Sequence, residues 1–265
     1  MTARNAAAIA SLVVLCGTAA CTSYYEIPIE TPIQPKMDVS GFQRVLIAGF
    51  ISGGTEDVDA NLETVRLLRS QLRTKSTLRV IEAEVLPLAE LASTQNKERA
   101  SNEAPGGAAD GQQSAQPDAG PSIRNERDLE RFQGIFANVA FWKRIGEEYQ
   151  NPLIVTGTVL FTPHQASGFV MDNREVYDQF GRRRVIPVRT YVERKGFILT
   201  PKFIFIDGRT GSTLYSETFR EEILYNAQQN TPALSSYFEL MDRLVPNFLS
   251  ALSSQKIRGT RVLLH

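Results

Sequence analysis

The sequence predicts an α/β protein in which helices pack against a mixed sheet of about five strands. Three stretches carry this expectation. Residues 45–50 (VLIAGF) form an unbroken apolar run. Leu62, Val65, Leu68 and Leu72 then recur at spacings of three and four, and the strand-like runs 197–206 and 212–223 are joined by Asp207-Gly208-Arg209-Thr210-Gly211. A continuous apolar run marks a strand covered on both faces, a 3.6-residue stripe marks a helix with one buried side, and a short glycine-containing joint between two strand-like runs marks a hairpin.

Taken in order, Arg44 precedes the first strand and Gly53-Gly54 end it. Asp57 or Asp59 caps the helix that follows by accepting from a free first-turn amide, and residues 78–81 read as a second strand. Strand, helix, strand is a βαβ unit, most simply parallel. Ile135, Val139, Trp142, Ile145 and Tyr149 form the next helical stripe, which assigns Trp142 to the core rather than to ligand stacking. Residues 153–161 are a third strand, and Gly157 within it signals a close approach of backbone. Pro201 has no amide hydrogen to donate and belongs at an edge or bulge, while Asp207 and the glycines after it supply a turn. The last helix follows Pro232 with the stripe Leu234, Phe238, Met241, Leu244, Phe248 and Leu252, and residues 261–264 are a short strand that would complete the sheet.

Ahead of this fold lies a targeting segment. Arg4 is its only charge, residues 6–15 are apolar, and small residues precede Cys21. That is a signal-peptide layout, and the apolar run is shorter than the roughly 17 to 25 residues a membrane span requires. Thr18-Ala19-Ala20-Cys21 resembles the lipobox of bacterial lipoproteins. The resemblance implies diacylglycerol on the Cys21 sulfur and cleavage after Ala20, with further acyl chains such as palmitate. Leu is commoner where Thr18 stands, which leaves cleavage by an ordinary signal peptidase near Ala20 as the alternative. Thr22 occupies the position where the enteric pattern places Asp for inner-membrane retention, so the expectation is the periplasmic face of the outer membrane. Cys16 and Cys21 are the only cysteines, so no disulfide is expected inside the fold.

The organisation expected is a signal peptide over 1–20, a lipid-anchored extended tether over 21–40 and a single α/β domain over 41–265. Pro28, Pro32 and Pro35 motivate the tether. Two segments interrupt the domain. Residues 93–122 are rich in Ala, Gly, Gln, Pro and Ser and read as a disordered insertion, because they offer too little apolar area to offset ordering entropy. Residues 162–196 are a charged excursion.

The run at 44–50, the LRVIEAE and NPLIVTGTV stretches and FILTPKFIFIDGRTGSTLYSETF together resemble the periplasmic fold of the TolB amino-terminal domain, an anticodon-binding-like fold. The lipoprotein activators of penicillin-binding proteins and the curli secretion lipoprotein share it. Gly157 and Val159 match its "GxV" element, and Asp207, Thr210 and Gly211 its "D-x-x-T-G" hairpin. The resemblance implies a fold and leaves chemistry open. The excursion at 162–196 departs from it. In the curli lipoprotein a comparable excursion spans the membrane, but here charges crowd the segment, and each Arg or Lys facing lipid at the midplane would cost ~2 to 4 kcal/mol.

No catalytic, metal or cofactor site is expected. Lys plus Arg and Asp plus Glu are 29 each, a neutral balance that gathers no phosphate backbone, so no nucleic acid is expected. With only His164 and His265, and no cysteine beyond Cys21, the folded region has no ordinary zinc ligand set. Nucleophile elbow, P-loop and dinucleotide glycine patterns are absent, and Glu147, Glu148 and Asp172 form no evident acid pair. What remains is a non-enzymatic, lipid-anchored interaction module of the cell envelope. It would bind the membrane through Cys21 and an envelope protein through a sheet edge or the excursion, with Arg182, Arg183, Arg184 and Arg189 as docking residues. The alternatives are a subunit of an envelope oligomer, such as a secretion or trafficking ring, and a cell-wall hydrolase.

Overall fold

The computed structural model describes residues 24–102, 123–229 and 231–264. Its elements are β1 (Tyr24–Ile33), β2 (Arg44–Gly54), α1 (Ala60–Lys75), β3 (Arg79–Ile81), α2 (Leu88–Asn102), α3 (Glu126–Glu130), α4 (Gln133–Phe136), α5 (Val139–Glu148), β4 (Leu153–Tyr177), β5 (Arg183–Asp207), β6 (Thr213–Thr218), β7 (Glu221–Asn226), α6 (Ala233–Leu252) and β8 (Gln255–Leu264). They fall into two units, Pro35–Ser253 and a unit made of the chain up to Gln34 with the chain from Ser254 onward.

Pro35–Ser253 carries the expected α/β architecture. Its sheet runs β3-β2-β4-β5-β6, with β7 also pairing β5. β2 lies parallel to β3 and β4, and the remaining pairs are antiparallel. The continuous apolar run in β2 arises because both faces are covered. Val45, Ile47 and Phe50 enter one core with α1 and α6, and Leu46, Ala48 and Ile51 enter a second core with helices α2 to α5. Strict alternation breaks at a bulge between Ile47 and Gly49, which shifts the later side chains by one position. Hydrogen bonds from Leu86 N to the Ala48 carbonyl (2.8 Å), from Thr156 Oγ1 to the Gly49 carbonyl (2.9 Å) and from Phe50 N to Asn61 Oδ1 (2.8 Å) satisfy the disrupted ladder.

Asp59, rather than Asp57, caps α1, accepting from Leu62 N at 3.0 Å. Trp142 is fully buried and donates its indole N–H to the Ile135 carbonyl at 2.8 Å. Gly157 (φ 145°) stands where an added Cβ would lie 1.8 Å from the Lys202 carbonyl oxygen of β5. The Asp207–Ser212 turn closes through Gly211 (φ 73°), whose N–H donates to the Asp207 carbonyl at 2.7 Å. After that turn the expected single strand becomes two, which supplies the sixth strand. β6 pairs with β5 through Lys202 and β7 from Leu199, and at the handover the Pro201 carbonyl accepts from Phe219 N at 2.9 Å. In α6 the stripe is buried except at its start, where Leu234 is exposed and Phe238 only partly covered.

Three boundaries differ from the sequence reading. Within the stretch read as a tether, residues 24–33 are strand β1, and the last strand pairs with it instead of joining the main sheet, from Tyr24 opposite Leu264 to Ile33 opposite Gln255. Residues from 254 onward therefore leave the domain that was expected to reach residue 265. The signal for β1 is Ile27, Ile29, Thr31 and Ile33 at a spacing of two. Pro28 and Pro32 are tolerated because each strand of a two-stranded ribbon has a free edge on which a missing N–H costs no ladder bond. The insertion also begins later. Residues 93–102 continue α2, where Ala, Glu, Gln, Lys and Arg favour helix and Leu88 and Ala92 anchor the first turns in the core. The remainder of the insertion, 103–122, and the signal segment with Cys21 lie outside the described residues.

Candidate functional site: a projecting hairpin arm

β4 and β5 each run 25 residues, far longer than their neighbours. β2 stays beside β4 only as far as Phe161, and β7 accompanies β5 only over Arg194–Leu199. Past those points the described residues pair β4 and β5 with each other alone, without a bulge, out to Tyr177 opposite Arg183. The charged excursion is thus a two-stranded arm, about 50 Å long over residues 162–177 at ~3.4 Å per residue.

Directly opposed residues share a face, so register sorts the arm's side chains. One face carries Phe169 with Tyr191, Met171 with Arg189, Glu175 with Val185 and Tyr177 with Arg183. The other carries Val170 with Thr190, Asp172 with Val188, Arg174 with Ile186 and Val176 with Arg184. Charges interrupt both faces.

The first face holds a clustered patch. The Phe169 and Tyr191 rings meet edge to face at 5.3 Å, and the Arg189 guanidinium lies 4.1 Å from the Phe169 centroid. Phe169, Tyr191 and Met171 remain 59%, 52% and 71% exposed. An isolated strand pair is marginal in water, and this one presents aromatic, Met and Arg side chains, the types enriched where proteins meet. The arm also holds seven Arg and Lys residues against four Asp and Glu, a local excess that the neutral total conceals.

The four arginines singled out by sequence do not form one cluster. Arg189 belongs to the aromatic patch. Arg182 is held in the terminal turn by Asp178, its Nε donating to Oδ2 at 2.9 Å, and Arg183 pairs with Glu175. Arg184 stands on the opposite face across from Val176. Sequence reading missed Phe169, Met171 and Tyr191, although the pairs 169/171 and 189/191 recur at a spacing of two, the signature of residues sharing a strand face.

At the root of the arm His164 Nε2 lies 3.3 Å from Glu222 Oε1 of β7. Two adjoining hollows of about 210 and 530 Å³ lie between α3 and the sheet, sharing Glu126 and Thr200. Lys202, Arg127 and Arg220 line them together with Glu130, a mixed set that selects no single charge. No group of His, Cys, Asp and Glu among the described residues could hold a metal ion, and no described helix is long and apolar enough to cross a membrane.

No protein-family model matches the chain, and no curated protein matches it. Solved structures similar to it include lipoprotein GNA1162 from Neisseria meningitidis, at 12% identity over 78% of this chain and 97% of that one, with a TM-score of 0.32. A Helicobacter pylori homolog of the neuraminyllactose-binding hemagglutinin is similar at 12% identity over 83% of this chain and 91% of that one, with a TM-score of 0.31. Scores of this size say nothing about what this chain binds.

Proposed function

We propose that this chain is a non-enzymatic interaction module of the bacterial envelope, acylated at Cys21 and held at the periplasmic face of the outer membrane, which docks on an envelope protein through the hairpin arm. The observation that carries the reading is the preassembled Phe169–Tyr191–Arg189 cluster on a projection that no other described element covers. Tyr, Arg and Phe in one packed patch can supply most of an interface's affinity. The lipobox resemblance supports the anchor, and the βαβ opening with the Asp207–Ser212 hairpin supports a fold of the TolB amino-terminal type. The test is recovery of partners from detergent-solubilised membranes on the intact chain and on a Phe169→Ala/Tyr191→Ala double variant. A partner held by the intact chain and lost by the variant is the expected result; identical partners on both would refute docking at this patch.

A second reading rests on the arm's edges. Beyond Phe161 and before Arg194 each strand has one side without a ladder partner among the described residues, and such edges template pairing between copies. An oligomer would show as a multiple of the single-chain mass in light scattering of the purified protein. A single-chain mass at all concentrations would remove it.

A further inference from the structure

The tip of the arm differs in chemistry from its stem, and it is built rather than loose. Asp178 Oδ1 accepts from the backbone N–H groups of Phe180 and Arg182, both at 2.9 Å, and Oδ2 accepts from Arg182 Nε. Gly181, at φ 70°, donates its N–H to the Asp178 carbonyl at 2.9 Å, and Asp178 N donates to the Arg182 carbonyl at 3.0 Å. This turn presents Phe180, which at 79% is the most exposed large apolar side chain described, with Tyr177 beside it at 67%. The Arg182 guanidinium lies 5.2 Å from the Phe180 ring centroid. Residues 177–184 hold three arginines and one aspartate.

We infer that this tip is a membrane-contact element that seats on an anionic phospholipid surface, with the Phe180 ring in the headgroup region and the guanidinium groups of residues 182–184 at lipid phosphates. An amphipathic interface selects aromatic rings at headgroup depth and cations at its phosphates. Complementarity of charge favours lipid over protein here. The packed aromatic cluster suited to a protein lies on the stem, separated from the tip by Asn173 with Pro187 and Glu175 with Val185. At the tip the exposed Phe180 ring lies against the Arg182 guanidinium. Arg182 and Arg183 pair with Asp178 and Glu175, and Arg184 makes no ion pair among the described residues, which leaves one uncompensated positive charge beside an exposed ring. The inference depends on neither the protein partner nor the acyl group.

The test adds the full chain to preformed vesicles of phosphatidylcholine alone or mixed with phosphatidylglycerol. Phe180→Trp is the reporter. The buried Trp142 contributes a constant background, measured on the unsubstituted chain. On the anionic vesicles the new indole should shift its emission to the blue and be quenched by lipids brominated along their acyl chains; on the neutral vesicles it should stay water-like. Adding Arg184→Gln, which disturbs no bond of the turn, should lower the tip's partition constant about five-fold, the worth of one cation near such a surface. Water-like emission on both vesicles overturns the inference, as does an equal shift on both or a shift that appears only when an envelope protein is added. Protein docking by the stem is read in detergent with no bilayer present, so the two readings fail separately.

Discussion

The Arg189 guanidinium lies 4.1 Å from the centre of the Phe169 ring, across the β4–β5 ladder from it, and the same ring meets Tyr191 edge to face. On an exposed surface a cation–π contact of this kind contributes ~0.5 to 1 kcal/mol, so it does little for the stability of the fold. It does hold three long side chains in one arrangement before any partner arrives, which reduces the ordering cost of association. Arg189→Ala and Tyr191→Ala should each weaken binding of the recovered partner by roughly ten-fold or more while leaving thermal stability within about 1 kcal/mol of the intact chain. Arg189→Lys should restore only part of the loss, since an ammonium lacks the flat face that stacks on the ring. Affinity by titration calorimetry and stability by thermal unfolding check this. Equal loss of both would give the patch a structural role only.

Tyr237 is fully buried and places its hydroxyl against Thr64 Oγ1 and the Ala60 carbonyl, joining α6 to α1. Burial, opposed by the Thr64 hydrogen bond, pushes its phenol far above the ordinary value of 10.0. The unfolded chain releases this proton near pH 10 while the folded chain keeps it. Stability is therefore fully present below pH 10 and declines above it, by up to ~1.4 kcal/mol per pH unit. Tyr215 and Tyr225 are raised as well, first by burial, so the intact chain's alkaline decline has several sources. Tyr237→Phe should cost about 1 kcal/mol at neutral pH and flatten part of that decline, because Thr64 keeps the Ala60 carbonyl as its partner. Urea unfolding at pH 7 and above pH 10 measures both effects, and an unchanged alkaline slope would reject the assignment to Tyr237.

Gly157 is a test of packing between β4 and β5. An added Cβ would meet the Lys202 carbonyl oxygen at 1.8 Å, and φ of 145° already disfavours any other residue. Gly157→Ala should destabilise by about 2 kcal/mol or more. Gly168, on the arm of the same strand, has no atom within 4 Å of an added Cβ, and Gly168→Ala should leave stability unchanged. Paired denaturant titrations of the two variants decide it; equal midpoints would show that the strands part easily at Gly157.

What the sequence made legible was local. The β2 run, the α1 stripe with its cap and the Asp207–Ser212 turn each declare themselves within a dozen residues, through periodicity or turn chemistry. The β1–β8 ribbon was hidden because a strand's partner lies anywhere in the chain, here more than 200 residues away, and because Pro28 and Pro32 mimic an extended tether. The arm was visible as charge but not as a surface. Its pairing register alone brings Phe169 to Tyr191 and sends Arg184 to the face away from Arg183. The four arginines read as docking residues, Arg182, Arg183, Arg184 and Arg189, therefore divide between turn, tip and stem.

The terminal turn supplies the last prediction, because a single carboxylate organises it. Hydrogen bonds from the Arg182 and Phe180 backbone N–H groups, the Arg182 bond being the larger influence, hold the Asp178 carboxyl below its ordinary value of 3.8. A lowered carboxyl contributes its ordering above that ordinary value and loses it as pH falls through the folded-state value, when the protonated group accepts less well. Asp178 is largely screened from this accounting by solvent, so the effect belongs to the turn and not to the whole fold. Amide hydrogen exchange at Phe180 and Arg182 should be slow near neutral pH, once the intrinsic pH dependence of exchange is removed, and should speed up below pH 4. In Asp178→Ala it should be fast throughout, and in Asp178→Asn intermediate, since a neutral amide oxygen can still accept from both N–H groups but more weakly than a carboxylate, and the bond to Arg182 Nε is lost. Protection at those two amides that is the same in Asp178→Ala as in the intact chain would show that backbone pairing of β4 with β5 alone holds the tip, and that Asp178 is a passenger in the turn.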